Sequence, residues 1–220
     1  MGVLLLVRHG QASLGAAEYD QLSGLGVRQA QILGDRLAGT DVRVDRIVCG
    51  TLARQRDTAW PVLAALGRDP AELITDGRLD EYDHVGVMAQ HTSEVTFAGW
   101  TADGETGRRL QSALEEAISR WMSGGPGYTE SHESFVTRAT DAVRELTGAP
   151  GGTIAVTSGG IIAAACVQAL GLPIEQWPAL ARLIVNSSIT KIVSGSSGTH
   201  LVTFNDHAHL ERDRALISYR

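Results

Sequence analysis

Three apolar runs in this 220-residue chain switch abruptly to small or basic residues. "VLLLVRHG" ends in Arg8, His9 and Gly10, "RIVCGTLAR" leads into Arg54, and "TIAVTSGG" runs through Ser158 to Gly160. Runs of Val, Leu and Ile closed by glycine read as strands buried on both faces. In open α/β sheets, ligands bind outside the carboxyl ends of such strands. Two of the switches open a helix, near Thr51 and Gly160, and offer unpaired backbone N–H groups to an anion. Arg8 and Arg54 add planar guanidinium forks matched to phosphate oxygens. Glu81 and Asp83 occupy a further polar loop, and an acid beside an anion site suits proton transfer. Taken singly, an arginine on a helix or an acid in a loop is most often a solvated charge. Their common placement at strand and helix ends is what points to chemistry.

The elements that must position these residues can be read from periodicity. "LSGLGVRQAQILGDRLAG" places Val27, Ala30, Leu33 and Leu37 at helical spacing, with Ser23 as N-cap and Gly39 as the C′ stop. "TLARQRDTAWPVLAALG" is a helix that Pro61 should bend or break. "ITDGRLDEYDH" reads as irregular. Leu110, Leu114, Ala117, Ile118 and Trp121 share one helix face, and Phe135, Ala139, Val143 and Leu146 share another. "IIAAACVQALG" is a helix after the third buried strand, and the tail offers three strand-like runs, "RLIVN", "ITKIVSG" and "THLVTF". The alternation implies an α/β three-layer αβα sandwich with a mostly parallel central sheet. A single domain over residues 1–220 is expected, with a variable lid or insert segment from Val85 to Tyr128 that contains Trp100 and Trp121.

Composition bounds the function classes. A net charge of −6 and a pI near 5.6 argue against nucleic-acid binding through a basic face. The longest apolar segment, Gly159 to Leu172, is too short to span a bilayer, and the N-terminus lacks the charged region of a signal peptide. A cytoplasmic protein is therefore expected, with no membrane or nucleic-acid partner and with a homodimer compatible. Cys49 and Cys166 fit no metal-ligand spacing and read as buried thiols, with a single disulfide between them left open. No G-x-S-x-G elbow accompanies "TSGG", which sets a serine hydrolase aside.

The ordered pieces "RHGQ" (Arg8–Gln11), "LSGLGVRQA" (Leu22–Ala30), "TLARQRDTA" (Thr51–Ala59), "LDE" (Leu79–Glu81), "HESF" (His132–Phe135) and "NDHAHL" (Asn205–Leu210) cover nearly the whole chain. As a set the sequence resembles the phosphoglycerate-mutase-like branch of the histidine phosphatase superfamily. The resemblance implies a phosphoric monoester hydrolase that acts on a small phosphorylated substrate through a phosphohistidine. It makes His9 the nucleophile and Glu81 the acid and base. It places Arg8, Gln11, Arg54, Ser158 and Gly159 around the phosphate and requires neither metal nor cofactor. Mutase activity is the less favoured reading, because the long mutase-specific insertion is not recognisable.

One position departs from the family pattern. The strand that usually ends in a second histidine reads "AVTSGG", which puts Ser158 in the histidine's place. Losing a charge-assisted donor there costs on the order of 1.5–3 kcal/mol. Three outcomes fit: a slow phosphatase with weaker donors, another histidine that takes over, or a protein that binds phosphate compounds without turnover. Of the seven histidines, His84 is the preferred substitute because it follows Glu81 by three residues. His132, His207 and His209 are the weaker candidates.

Overall fold

The computed structural model describes residues 1–13, 20–91 and 105–219, with the backbone alone at 105–107 and 110. Its sheet is built from β1 (Gly2–Arg8), β2 (Arg46–Cys49), β3 (Leu73–Thr75), β4 (Gly151–Thr157), β5 (Ile189–Gly195) and β6 (Gly198–Asp206), in the order β3-β2-β4-β1-β5-β6. The pairs β3–β2, β2–β4 and β4–β1 are parallel, and β5 runs antiparallel to both β1 and β6. Side chains alternate across a strand, so each central strand feeds two cores. Leu4 and Leu6 of β1 enter one buried cluster, and Leu5 and Val7 enter the other.

Helices cover both faces, as the alternating pattern implies. On one face α1 (Gly24–Ala38) and α2 (Ala53–Ala65) bury Leu33, Leu37, Val62 and Leu63. On the other lie α3 (His84–Ala89), α4 (Glu105–Met122), α5 (His132–Gly148), α6 (Gly159–Leu170) and α7 (Trp177–Leu183). The apolar all-round sequence of α6 is explained by its place at the centre of that layer, where Gly159 to Val167 are all buried. Ser23 Oγ accepts from the Gly26 N–H at 3.0 Å and caps α1, and Ala117, Ile118, Trp121, Phe135, Ala139 and Val143 are buried as their spacing requires.

Gly39 ends α1 where the sequence places the stop, at φ −83°. Three expectations need correcting. Helix α2 is not broken at Pro61, where α1 supplies glycine for close contact: a Cβ at Gly34 would lie 2.7 Å from the Pro61 carbonyl oxygen. "RLIVN" is no strand. Its first residues finish α7, and Val185 to Ser188 form a buried loop beside the end of β1. The segment read as irregular opens with β3, three residues at a sheet edge, too short for any period to register. Cys49 and Cys166 are free, buried on opposite faces of the sheet, and burial pushes their thiols up to about 11 and about 12. Trp100 and the side chain of Leu110 lie outside the described residues.

Candidate active site

Where β1 leaves the sheet, its last peptide groups are locked in place. The His9 N–H donates to the Thr157 carbonyl at 2.9 Å, and the Gly10 N–H donates to Thr58 Oγ1 at 2.9 Å. The Asn186 carboxamide donates to the His9 carbonyl at 3.1 Å, and the Ser187 N–H reaches the Arg8 carbonyl at 3.0 Å. Ser187 sits at φ +60°, a left-handed conformation uncommon for serine. His209 supports it, with Nε2 3.0 Å from the Ser187 carbonyl.

The imidazole orientation follows from one contact. His9 Nδ1 lies 2.7 Å from the Gly10 carbonyl oxygen, which can only accept, so Nδ1 carries the proton. Nε2 is then left with its lone pair, and Arg54 Nε donates to it at 3.2 Å. Burial, followed by the charges of Arg54 and Arg8, holds the His9 pKa well below the ordinary histidine value. The result is a neutral imidazole with an unprotonated nitrogen among cations. Arg54, 5% exposed, is fixed by Asp20, whose carboxylate takes its Nη1 at 2.6 Å and the Ala53 N–H at 2.7 Å. One acid thus aims the guanidinium and caps the start of α2. Arg8 Nη1 donates to the Ile184 carbonyl.

Glu81 enters from the loop after Leu79. The Gly160 N–H, in the first turn of α6, donates to Glu81 Oε2 at 3.0 Å. A Cβ at position 160 would stand 2.2 Å from Glu81 Oε1, so only glycine lets the carboxyl come this close. Burial raises the Glu81 pKa, against the Gly160 N–H and the charge of Arg54, which lower it. A carboxyl that holds its proton longer than usual can donate it near neutral pH. Asp83, its sequence neighbour, instead caps α3 through the Gly86 N–H at 2.8 Å.

A cleft of about 1110 Å³ opens over these groups, lined by Arg8, His9, Arg54, Glu81, His84 and Gly159 among others. His84, the first residue of α3, has its pKa pushed down to about 4 by burial and then by Arg54. Two of the expected phosphate contacts fall elsewhere. Ser158 is wholly buried, does not line the cleft, and its Oγ accepts from Gln55 Nε2 at 2.9 Å. The same Gln55 nitrogen donates to the Leu79 carbonyl at 3.0 Å, tying β4, α2 and the Glu81 loop together. Gln11 turns away toward α1, where its Oε1 accepts from Ser23 Oγ at 2.8 Å. His207 and His209 do not line the cleft, whereas His132 does. Asp20, Gln55, Thr58 and Asn186 escaped the sequence reading. They act through partners distant in the chain, which no local pattern signals.

The model of the histidine phosphatase superfamily (branch 1) matches residues 4–207. The chain belongs to the histidine phosphatase superfamily. A glucosyl-3-phosphoglycerate phosphatase from Mycolicibacterium vanbaalenii is 33% identical over 194 residues, 80% of this chain and 78% of that protein. A 2,3-bisphosphoglycerate-dependent phosphoglycerate mutase from Sinorhizobium fredii is 34% identical over 105 residues, 45% of this chain. This superfamily member spans about half or less of several curated relatives, 23–49% of their lengths. Among solved structures, a mycobacterial glucosyl-3-phosphoglycerate phosphatase complexed with VO3 is 25% identical, with a TM-score of 0.62 over 93% of this chain and 99% of that one. The six-stranded sheet between helical layers is the phosphoglycerate-mutase-like fold. Among the described residues no three His, Cys, Asp or Glu side chains are grouped to hold a metal ion, and no helix is long and apolar enough to cross a membrane.

Proposed function

We propose that the chain is a phosphomonoesterase working through a phosphohistidine at His9. The observation that carries this reading is the tautomer: with Nδ1–H held by the Gly10 carbonyl, the Nε2 lone pair faces the cleft beside Arg54. As Arg54 Nε turns from Nε2 to the phosphate oxygens, His9 Nε2 attacks the phosphorus, and the bond from phosphorus to the alcohol oxygen breaks. Arg54 and Arg8 hold the non-bridging oxygens and offset charge on the transferring group. Glu81 protonates the departing alcohol oxygen. A water then attacks the phosphohistidine, gives its proton to Glu81, and releases phosphate and free His9. No step calls for a metal.

His84 takes the donor position that Ser158 leaves empty. Ser158 Oγ is committed to Gln55, while His84 lines the same cleft as His9. Neutral in the free site, His84 gains a proton when a phosphate dianion arrives, because a nearby anion favours the charged imidazole. Turnover to water is favoured over a mutase cycle, since the described cleft offers little to hold a second anionic group.

Brief exposure to a labelled phosphomonoester tests the reading. An acid-labile, alkali-stable label is expected on the wild type and not on His9→Ala. An unlabelled wild type that still binds the ester would make the chain a binding protein on this fold.

A further inference from the structure

Beyond the phosphate-holding end, the cleft has a wall of apolar and aromatic side chains. Leu114 and Ile118 of α4, Ile174, Trp177 of α7, and Tyr82 line it, with His132 at the first turn of α5. Tyr82 stacks on Trp121 at 4.9 Å between centroids and meets Trp177 edge-on at 5.6 Å. The ring wall is thus braced from behind by buried tryptophan. His132 stands edge-on to Trp177 at 5.4 Å, only 6% exposed, and burial lowers its pKa, so it brings no charge at neutral pH. Its Nε2 has no hydrogen-bond partner among the described residues. Buried polar atoms are nearly always satisfied, and His132 is one of the residues lining the chamber.

Charge decides what the chamber can hold. Its one arginine away from the phosphate end, Arg182, is paired with Glu115 at 2.8 Å, and Glu175 adds a further negative group. Among the described residues no other lysine or arginine lines the cleft. A carboxylate or second phosphate placed there would be desolvated against apolar walls beside two acids, without a partner. An uncharged apolar group would replace water along the same walls favourably. A chamber of this size, about 1110 Å³ with the catalytic end, is large for a three-carbon acid.

We infer that this chamber selects phosphomonoesters of uncharged, aromatic or similarly bulky apolar alcohols. The inference rests on the phosphatase reading and deepens it. It sets the chain apart from relatives named for phosphoglycerate-type compounds.

The test compares 2-phenylethyl phosphate, ethyl phosphate and 3-phosphoglycerate, alkyl esters whose alcohols need similar protonation, so that only the chamber distinguishes them. The phenylethyl ester is expected to exceed each of the others at least tenfold in kcat/KM. Leu114→Lys, which puts a cation on the partly buried chamber wall, should shrink its advantage over 3-phosphoglycerate. Should that variant fail to fold, the wild-type ratios and competitive inhibition by phenylethyl phosphonate against phosphonoacetate carry the comparison. Equal use of the three esters, or preference for 3-phosphoglycerate, would overturn this inference and leave the phosphatase reading standing. No phosphate release from any ester and no label on His9 would remove both.

Discussion

His9 and Arg54 share a single hydrogen bond, and the two side chains answer to different substitutions. Deleting the imidazole in His9→Ala removes the Nε2 that meets Arg54, on a neutral ring whose Nδ1–H is held by the Gly10 carbonyl. Phosphate release should fall below detection while the melting temperature stays near that of the wild type; sustained turnover by a folded His9→Ala would end the phosphohistidine reading. Arg54→Lys retains charge but loses the planar fork that reaches His9 and Asp20 together. A loss of roughly 100-fold in kcat is expected, the scale of removing one preorganised donor. Ser158 poses the opposite question. Its hydroxyl is committed to Gln55 inside the protein, so a larger imidazole in Ser158→His must displace that contact, and lower activity or stability is expected. His84→Ala should also reduce turnover, and the double variant should lose less than the sum of the two, because both positions bear on one donor role. Acceleration by Ser158→His with an inert His84→Ala would mark simple decay of the site.

At the scale of elements, the first turn of α6 is the most sensitive joint. Gly160 brings its N–H to Glu81, and the added methyl of Gly160→Ala would collide with the Glu81 carboxyl, not with other backbone. The helix itself tolerates alanine. The expected result is a fold of ordinary stability with a displaced acid: alkyl phosphates slowed about 100-fold, within the range of general acid–base effects. Activated aryl phosphates, whose leaving groups hardly need a proton, should be slowed far less. Equal slowing of both would recast Glu81 as a positioning group. This joint also marks how far the sequence could be read. β1, β2 and β4 were legible because an apolar run closed by glycine has few other interpretations, and Arg8, His9 and Arg54 sit where two of those runs end, while Glu81 stands in a separate polar loop. The hydroxyl of Ser158 could be placed at a strand end but not aimed, since its partner Gln55 lies 103 positions away in the chain. Gln11 could not be aimed for the same reason, and its carboxamide oxygen meets Ser23 Oγ. The three residues of β3 and the loop made of Val185 to Ser188 take their form from neighbours, and local apolar character alone read the latter as a strand.

Across the whole molecule, four histidines have folded-state pKa values below the ordinary 6.5: His9, His84, His132 and His209. Burial is the leading cause in each. The charged imidazole is therefore disfavoured in the fold relative to the unfolded chain, which binds more protons as pH drops below 6.5. Stability from these groups is complete above that pH and is lost as pH falls toward the folded values, about 4 for His84. Each contributes up to about 1.4 kcal/mol per pH unit, less at His84 and His209, which face water in part. Glu81 and Asp57 act in the other direction, because their raised pKa values favour the fold as they protonate. Four groups titrate against two in this window, so the histidines dominate between pH 6.5 and 5. The urea midpoint should be flat from pH 8 to 7 and then decline steeply to pH 5. His132→Gln, which removes one such group from beside Trp121 and Trp177 without touching His9, should make the decline shallower by up to about 1.4 kcal/mol per pH unit. A midpoint that stays level down to pH 5 in the wild type would mean that these imidazoles take up protons within the fold, and the neutral His9 on which the phosphoryl-transfer step depends would have to be abandoned with them.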